Sequence, residues 1–370
     1  MNGASLHFVV PGRLEQKTGG YLYDARMVRG LRARGWTVEL HELEGAFPVG
    51  DDRAIAALED TLASIPDGAR VVIDGLAMGG IPAPVSRHAD RLRIVSLVHH
   101  PLADETGISE EERARYAASE RAALTPCSGV IVTSGYTAGR LGSFGVDADR
   151  VRAVPPGTVP AEPATGPPDR EPPRLLCVAT LTPRKGHDVL VESLRRTRDL
   201  AWTCVCAGSD RWAPEHAARV RALVEELGLG ARVTFVGEHD ADGLDRLYRE
   251  SSAFVLASHY EGYGMALAEA LARGLPIVST TGGAIPHTVP ADAGLLVPPG
   301  DPEAFADALR ALLAPDGVVR GRLAAAARRH ATALPDWDAA VARFAEALLE
   351  LTAGARRSAG VDGAGAIGSA

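Results

Sequence analysis

The pattern of the fold is clearest in AFVLASHYEGYGMALAEALARGLPIVST, residues 253–280. It begins with a short apolar run at 253–257, crosses a loop with two glycines, continues as a helical segment at 264–273 and ends in a second apolar run at 276–280. Apolar strands that alternate with helices are typical of a parallel sheet covered on both faces. The stretch therefore predicts one strand–helix–strand unit of a doubly wound α/β domain.

The same alternation extends along most of the chain. In the second half, further strands are expected at 174–180, 202–207 and 232–237, and helices at 187–197, 214–228, 241–251, 302–313 and 318–332. In the first half, strands are expected at 6–10, 36–40, 70–74, 94–98 and 129–133, and helices at 20–34, 52–64, 109–124 and 135–142. The pattern predicts two Rossmann-like domains that face a central cleft.

A proline-rich segment separates the two halves. Eight prolines occur between Pro155 and Pro173, and proline lacks the backbone N–H that helices and central strands need. We expect a first domain at 1–154, a semi-rigid connector at 155–173 and a second domain at 174–336. A last helix at 337–352 is expected to pack back on the first domain, and the Gly-, Ala- and Ser-rich tail at 353–370 is expected to be disordered.

Composition excludes several classes of protein. The chain has 370 residues, 46% of them apolar and 23% charged, which is typical of folded domains and excludes a disordered or collagen-like chain. A net charge of −8 argues against broad binding to nucleic acid. We find no apolar run long enough for a transmembrane helix and no secretory signal. The four cysteines are sparse for this length, so we expect buried thiols and a cytoplasmic location.

Two loops contain the only lysines of the chain. Of the 39 basic residues, all but Lys17 and Lys185 are arginine. Lys17 precedes Gly19 and Gly20 at the start of a helix, and Lys185 follows Arg184 in the loop after a strand. Glycine amides, a helix start and paired cations all favour phosphate. Because ligands bind beyond the carboxyl ends of the strands in such folds, both loops are candidate phosphate-binding loops.

A third loop lies within the opening stretch. Glu261 stands in the loop and Glu269 eight residues later in the helix, and Gly262 and Gly264 leave backbone N–H groups accessible near the helix start. These carboxylates are suited to the hydroxyls of a sugar and a ribose. A stripe of arginines at helical spacing, Arg26, Arg29 and Arg32, is more typical of a solvated helix face, although it leaves peripheral contact with anionic lipid open.

The Glu261–Glu269 spacing resembles the signature of retaining GT-B glycosyltransferases of family 4, often called group 1. The likeness covers most of the chain, because several looser motifs follow in the family's order. These are TGGYLYDARMVRGLRARGWTVEL, IVSLVHHP, VIVTSGYTAGRL, VPPGT, PRKGHDVLVESL, VTFVGE and GLLVPPGDPEAFADALRALL. The resemblance implies a GT-B fold and transfer of a hexosyl group from a nucleoside-diphosphate sugar, of UDP or GDP type, to an acceptor that the sequence does not identify.

The resemblance also implies roles for individual residues. Gly19 and Gly20 would approach the donor phosphate, and Arg184 and Lys185 would neutralise the diphosphate. His99, directly after the strand at 94–98, matches the family's histidine near the transferred sugar, although the adjacent His100 is an equal candidate for the imidazole that faces the cleft.

The remaining implied roles concern the donor. Glu261 would contact the donor sugar beside the backbone of Gly262, Tyr263, Gly264 and Met265, and Glu269 would bind the ribose. The base would lie near 236–239, which includes Gly237 and Glu238. Neither a metal nor another cofactor is expected, because cations and helix dipoles can stabilise the departing diphosphate.

The sequence departs from the family pattern at two positions. Thr180 stands where an arginine is usual, so Arg184 is expected to compensate, and His287 replaces a usual glutamate. Two other functions remain open. One is a nucleotide-sugar 2-epimerase, for which the sequence shows no acid/base residues in the cleft. The other is a non-catalytic nucleotide-sugar binding protein, against which the intact Glu261, Glu269 and Lys185 argue.

Overall fold

The computed structural model describes residues 4–168 and 171–353, which form two six-stranded parallel sheets. The strands of the first sheet are β1 (Ser5–Pro11), β2 (Thr37–Leu43), β3 (Arg70–Asp74), β4 (Arg93–Val98), β5 (Gly129–Val132) and β6 (Val151–Ala153). Those of the second are β7 (Arg174–Val178), β8 (Thr203–Ala207), β9 (Val233–Gly237), β10 (Ala253–Leu256), β11 (Ile277–Thr280) and β12 (Gly294–Val297). Their orders are β2-β1-β3-β4-β5-β6 and β12-β11-β10-β7-β8-β9.

Helices connect the strands and cover the sheets. Those of the first half are α1 (Gly19–Ala33), α2 (Asp52–Ser64), α3 (Gly75–Met78), α4 (Pro82–His88), α5 (Glu110–Leu124) and α6 (Gly135–Arg140). Those of the second half are α7 (His187–Arg196), α8 (Pro214–Glu226), α9 (Ala241–Arg249), α10 (Met265–Ala272), α11 (Ile285–Thr288), α12 (Pro302–Leu312), α13 (Val318–Ala331) and α14 (Trp337–Ala353). The predicted α/β fold class is confirmed by this topology, in which every strand pairing is parallel.

The sequence missed the edge strands β6 and β12. They have three and four residues, and most of their side chains are only partly buried. The sequence VRA of β6 contains an arginine and gives no apolar run, and the GLLV of β12 is too short a run to distinguish a strand from other structure. The short helices α3, α4 and α11 were missed for a similar reason, since four to seven residues contain too few turns for a helical period.

The last helix, α14, packs on the first sheet although it follows the second one in sequence. Val341, Phe344 and Leu348 are buried in the same core cluster as Phe8 of β1 and Met27 of α1. Burying a side chain such as Phe344 contributes about 1.5–3 kcal/mol. The chain thus crosses between the domains twice, at the proline-rich segment and again before α14.

The described part of the proline-rich segment contains no helix or strand and lies along the second domain. The Ala164 and Thr165 amides donate to the carbonyls of Arg273 and Arg249, and the Thr158 amide donates to Pro335 near the return crossing. These bonds replace the regular pairing that the prolines prevent. The predicted disordered tail, apart from Ala353 at the end of α14, lies outside the described residues.

Three strand ends meet where the two sheets face each other. His99 follows β4 of the first sheet, while residues 179–186 follow β7 and residues 257–264 follow β10 of the second. Parallel strands that end at one edge bring distant loops together there, so this seam holds the candidate site. Among the described helices, none is both long enough and apolar enough to span a membrane. All four cysteines are buried thiols.

Candidate active site

Lys185 and Glu261 form a buried ion pair on the second domain. The Lys185 ammonium donates to both carboxylate oxygens of Glu261, at 2.7 and 2.9 Å. The two side chains are only 16% and 7% exposed. Burial would raise the pKa of Glu261, but the charges of Lys185 and Arg184 outweigh it and lower that pKa. Burial also lowers the pKa of Lys185, yet the two contacts below 3 Å support a charged pair.

Arg184 joins this pair and also reaches the first domain. Its guanidinium lies 3.7 Å from Glu261 and 3.2 Å from Glu105, which follows the first sheet's β4. It also donates to the carbonyl of Tyr260 at 2.9 Å. The Glu105 carboxylate is held charged: burial would raise its pKa, but the imidazole of His100, 3.2 Å away, and the charge of Arg184 outweigh burial and lower it to about 2. Two adjacent cations are thus neutralised by two carboxylates, one from each domain.

The loop at 261–264 passes very close to the first domain. A Cβ on Gly262 would collide with the backbone carbonyl of His99, so the approach requires glycine at this position. The Thr137 hydroxyl of α6 lies 3.4 Å from the Gly262 carbonyl, across the same seam. Beyond Tyr263, which is partly buried, Gly264 has φ 93° and precedes α10 without a side-chain cap, so no capping side chain occupies the first amides of the helix.

Glu269 lies one helical turn further along α10 than the loop. Its carboxylate accepts a hydrogen bond from the Tyr248 hydroxyl at 2.9 Å. Burial raises the pKa of Glu269. The hydrogen bond from Tyr248 and the charges of Arg273 and Arg26 lower it, but burial outweighs them. The charge of Arg26, on α1 of the first domain, thus reaches this carboxylate across the cleft. A fixed acceptor near a helix start is suited to a diol such as that of ribose.

His99 lies over two buried carboxylates of the first domain. Its Nε2 is 3.0 Å from Asp24 Oδ1 and 3.5 Å from Asp74 Oδ2. Burial would lower the pKa of His99, but the two acids outweigh it and raise the pKa to about 10. Burial raises the pKa of Asp24. The cluster therefore favours a positively charged imidazole at the base of the cleft.

The neighbouring histidine has a different environment. His100 lies 3.2 Å from Glu105 and packs on the ring of Tyr260 in the second domain. His99 instead packs against Gly20, where a Cβ would come within 3.0 Å of the imidazole. The structure therefore places His99 beside the glycine loop of α1 and His100 in the contact between the domains.

The other predicted residues occupy two parts of the cleft. Gly19 faces the start of α10, because a Cβ on it would lie 3.8 Å from the sulfur of Met265. Gly237 ends the edge strand β9 with φ 73°, followed by the exposed Glu238. The structure thus gathers the predicted residues near the strand ends of the two sheets, with the base-binding candidates on the outer edge of the second sheet.

Sequence reasoning missed three carboxylates of the site: Asp24, Asp74 and Glu105. Asp74 directly follows the apolar residues 71–73 of β3, and a charged residue at that end of the strand was a usable signal. Asp24 and Glu105 carry no comparable signal, because a helical aspartate and a loop glutamate are usually solvated. Their roles arise from contacts with His99 and Arg184, which lie 75 and 79 positions further along the chain.

One group in the cleft contains potential metal ligands. Among the described residues, Asp24, Asp74 and His99 each offer a ligand atom, and these atoms lie within 4.8 Å of one another. Both carboxylates are almost fully buried, at 0% and 5% exposed, beneath the imidazole that they contact. The positively charged imidazole offsets the charge of the carboxylates without an ion. The absence of a metal requirement stays a prediction.

The chain is similar to known sugar transferases. Residues 160–330 match the family described as glycosyl transferases group 1. A D-inositol 3-phosphate glycosyltransferase of Xylanimonas cellulosilytica is 33% identical over 225 residues, which are 56% of this chain and 53% of the relative. The chain thus spans about half the length of the curated relatives it matches.

Solved structures show the same fold. Sucrose-phosphate synthase from Thermosynechococcus elongatus superposes with a TM-score of 0.79 at 24% identity, over 95% of this chain and 99% of that one. Anabaena HepE in complex with UDP-glucose gives 0.72 at 16% identity, over 93% and 99%. At these identities the likeness concerns the two-domain architecture, which is GT-B.

Proposed function

We propose that the chain, which matches the group 1 glycosyl transferases over residues 160–330, moves a hexosyl group from a nucleoside-diphosphate sugar to an acceptor, with retention, as in family 4. One observation carries the proposal. Arg184, Lys185 and Glu261 form a charged cluster in the second domain, and the adjacent Gly262 lies against the backbone of His99 across the seam. That arrangement supplies cations for a diphosphate and polar groups for a sugar at the same place.

The two cations would stabilise the leaving group. When the bond between the anomeric carbon and the diphosphate oxygen breaks, the electron pair stays on that oxygen. Lys185 is held by Glu261, and Arg184 is held by the Tyr260 carbonyl, so both cations are positioned before this charge develops. The amides at the start of α10 add to the positive potential.

The acceptor would attack from the face that the diphosphate leaves. Its hydroxyl oxygen forms the new bond to the anomeric carbon, and its proton passes to the departing phosphate oxygen. No carboxylate nucleophile is assigned, because Glu261 is committed to Lys185 and both Asp24 and Asp74 lie beneath His99. This front-face course preserves the configuration of the sugar.

His99 would contribute a positive charge next to the transferred sugar. Its Nε2 is engaged by Asp24, which leaves Nδ1 for a hydroxyl of the substrate. Asp24 and Asp74 keep the imidazole protonated but are too deeply buried to exchange protons with a sugar. This burial favours transfer over the 2-epimerase alternative, because an epimerase needs an acid and a base that reach the substrate.

Metal independence is part of the proposal. The charge of the diphosphate would be balanced by Arg184, Lys185 and the helix amides, which is the role that a divalent ion plays in other transferases. Purified protein should keep its full activity after dialysis against EDTA. A loss that Mg²⁺ or Mn²⁺ restores would contradict this part of the mechanism.

The first experiment identifies the donor. UDP, GDP and ADP are titrated calorimetrically into the wild-type protein and into Glu261→Gln. We expect UDP or GDP to bind both proteins, because the cations that hold the diphosphate remain. A flat titration with all three nucleotides would refute nucleotide-sugar chemistry.

The second experiment identifies the reaction. The nucleoside-diphosphate sugar is incubated with acceptors, beginning with D-inositol 3-phosphate because the curated relative carries that name. Transfer predicts release of nucleoside diphosphate that depends on the acceptor, an unchanged anomeric configuration by NMR, and a strong loss in Glu261→Gln. Conversion of the sugar at C2 without an acceptor would indicate the epimerase, and nucleotide binding without turnover of any acceptor would leave the non-catalytic function. The cytoplasmic location predicted from the sequence is tested separately by cell fractionation.

A further inference from the structure

A second group of potential metal ligands lies on the first two strands of the first sheet. It comprises His7 of β1 together with Glu39 and His41 of β2. The strands are in parallel register, with His7 opposite Glu39 and Val9 opposite His41. Because side chains alternate between the faces of a strand, all three residues lie on one face of the sheet.

The ligand atoms of this group are very close together. His7 Nδ1 lies 3.0 Å from His41 Nε2 and 3.4 Å from Glu39 Oε2, and His41 Nε2 lies 3.8 Å from Glu39 Oε1. Metal–ligand distances near 2.05 Å at tetrahedral angles place neighbouring ligand atoms about 3.3 Å apart. The three observed separations fall around this value.

The residues also have the exposure that a metal site requires. The imidazoles of His7 and His41 are held at 14% and 17% exposed, whereas Glu39 is 63% exposed. The backbone of the two strands is fixed by seven register pairs, so the imidazoles are preorganised. The exposed carboxylate leaves a path for an ion and for a solvent ligand in the fourth position.

We propose that His7, Glu39 and His41 bind one divalent transition-metal ion, and Zn²⁺ is the ion that we expect in the cell. Two imidazoles and one carboxylate suit Zn²⁺, Co²⁺ and Ni²⁺ better than Mg²⁺ or Ca²⁺, which prefer oxygen ligands only. The site is separate from the cleft and independent of the sugar-transfer mechanism. Its effect would be structural, because it links the edge strand β2 to β1 across 34 positions of sequence.

The alternative explanation needs no metal. One neutral imidazole donates a hydrogen bond to the other, and Glu39 is close only because the strand register places it opposite His7. This alternative predicts no specific Zn²⁺ affinity, so direct binding measurements separate the two explanations.

The experiment is a calorimetric titration of Zn²⁺ into the full chain without an affinity tag, repeated by following Co²⁺ absorbance. Four variants are compared: His41→Asn and Glu39→Gln in the proposed site, Asp74→Asn in the cleft cluster, and His330→Asn as a control. The control removes an exposed histidine that contacts only one carboxylate, Asp292. Glu39→Gln changes an exposed side chain, so its folding is not at risk from a buried defect.

We expect one Zn²⁺ per chain in the wild type, in His330→Asn and in Asp74→Asn. Affinity should fall by more than about tenfold in His41→Asn and Glu39→Gln, since even outer partners of a ligand change affinity by 10–100-fold. Zn²⁺ should also raise the thermal midpoint of the wild type but not of His41→Asn. No binding by the wild type, equal binding by all variants, or binding lost only in Asp74→Asn would overturn the proposal.

Discussion

Removing one member of the Lys185–Glu261 ion pair should destabilise the protein more than removing both. In Lys185→Met the Glu261 carboxylate stays buried, at 7% exposed, without its ammonium. An uncompensated buried charge usually costs about 3–5 kcal/mol. Arg184, 3.7 Å from the same carboxylate, offsets part of this cost. We therefore expect Lys185→Met to lower the free energy of unfolding by about 2–3 kcal/mol, at the low end of that range or just below it.

The double variant Lys185→Met/Glu261→Gln tests the reason for the effect. It removes both charges, so the desolvation of a lone carboxylate no longer opposes folding. The double variant should be more stable than the sum of the single effects predicts, by at least about 1 kcal/mol. Denaturant unfolding at neutral pH gives the four free energies of this cycle.

A surface ion pair of the same domain serves as the control. Arg310 and Asp199 are 2.8 Å apart but 42% and 59% exposed. Arg310→Met should leave the unfolding midpoint close to that of the wild type, because exposed pairs contribute little. If the Lys185 and Glu261 effects simply add, or if Arg310→Met is as damaging as Lys185→Met, the inference of a strongly coupled buried pair is wrong.

Three further outcomes are expected. Glu105→Gln removes a carboxylate that competes with a diphosphate for the guanidinium 3.2 Å away, so nucleoside-diphosphate affinity should rise several-fold by calorimetry, whereas Glu110→Gln, an exposed carboxylate, should leave it unchanged. Tyr248→Phe removes the hydroxyl that holds Glu269, so KM for the donor should rise with a smaller effect on kcat; an unchanged KM would argue against a ribose-binding role. His99 has a folded-state pKa raised to about 10, so its stabilising contribution is complete below its ordinary pKa of about 6.5 and is lost as pH rises towards 10. The difference in thermal midpoint between wild type and His99→Asn should accordingly shrink between pH 6.5 and 10, and a constant difference would show that His99 is not held as a cation.

Contacts across the seam connect candidate site residues of the two domains. Arg184 reaches Glu105, and the loop at Gly262 meets the backbone of His99. A donor diphosphate that takes over Arg184 would release Glu105 and His100, which are joined by a 3.2 Å contact. We therefore expect donor binding to change the contacts between the two domains through charge.

The α/β architecture and the candidate phosphate-binding loops were readable from local sequence. Continuous apolar runs such as 253–257 fix buried parallel strands, and the prolines at 155–173 separate two sets of them. The glycines before α10 and the rare Lys185 indicated phosphate chemistry because they are local signals, readable from neighbouring residues. Of the four edge strands, β2 and β9 were predicted, and only β6 and β12 were missed, because three or four residues give little local signal.

The partners of the candidate site residues became visible only in the folded chain. Asp24 and Asp74 lie 75 and 25 positions from His99, and Glu105 lies 79 positions from Arg184. No local pattern connects such residues, since their proximity depends on which strands end side by side. A buried carboxylate fixes the charge of its neighbour through distance and desolvation, and both exist only once the chain has folded.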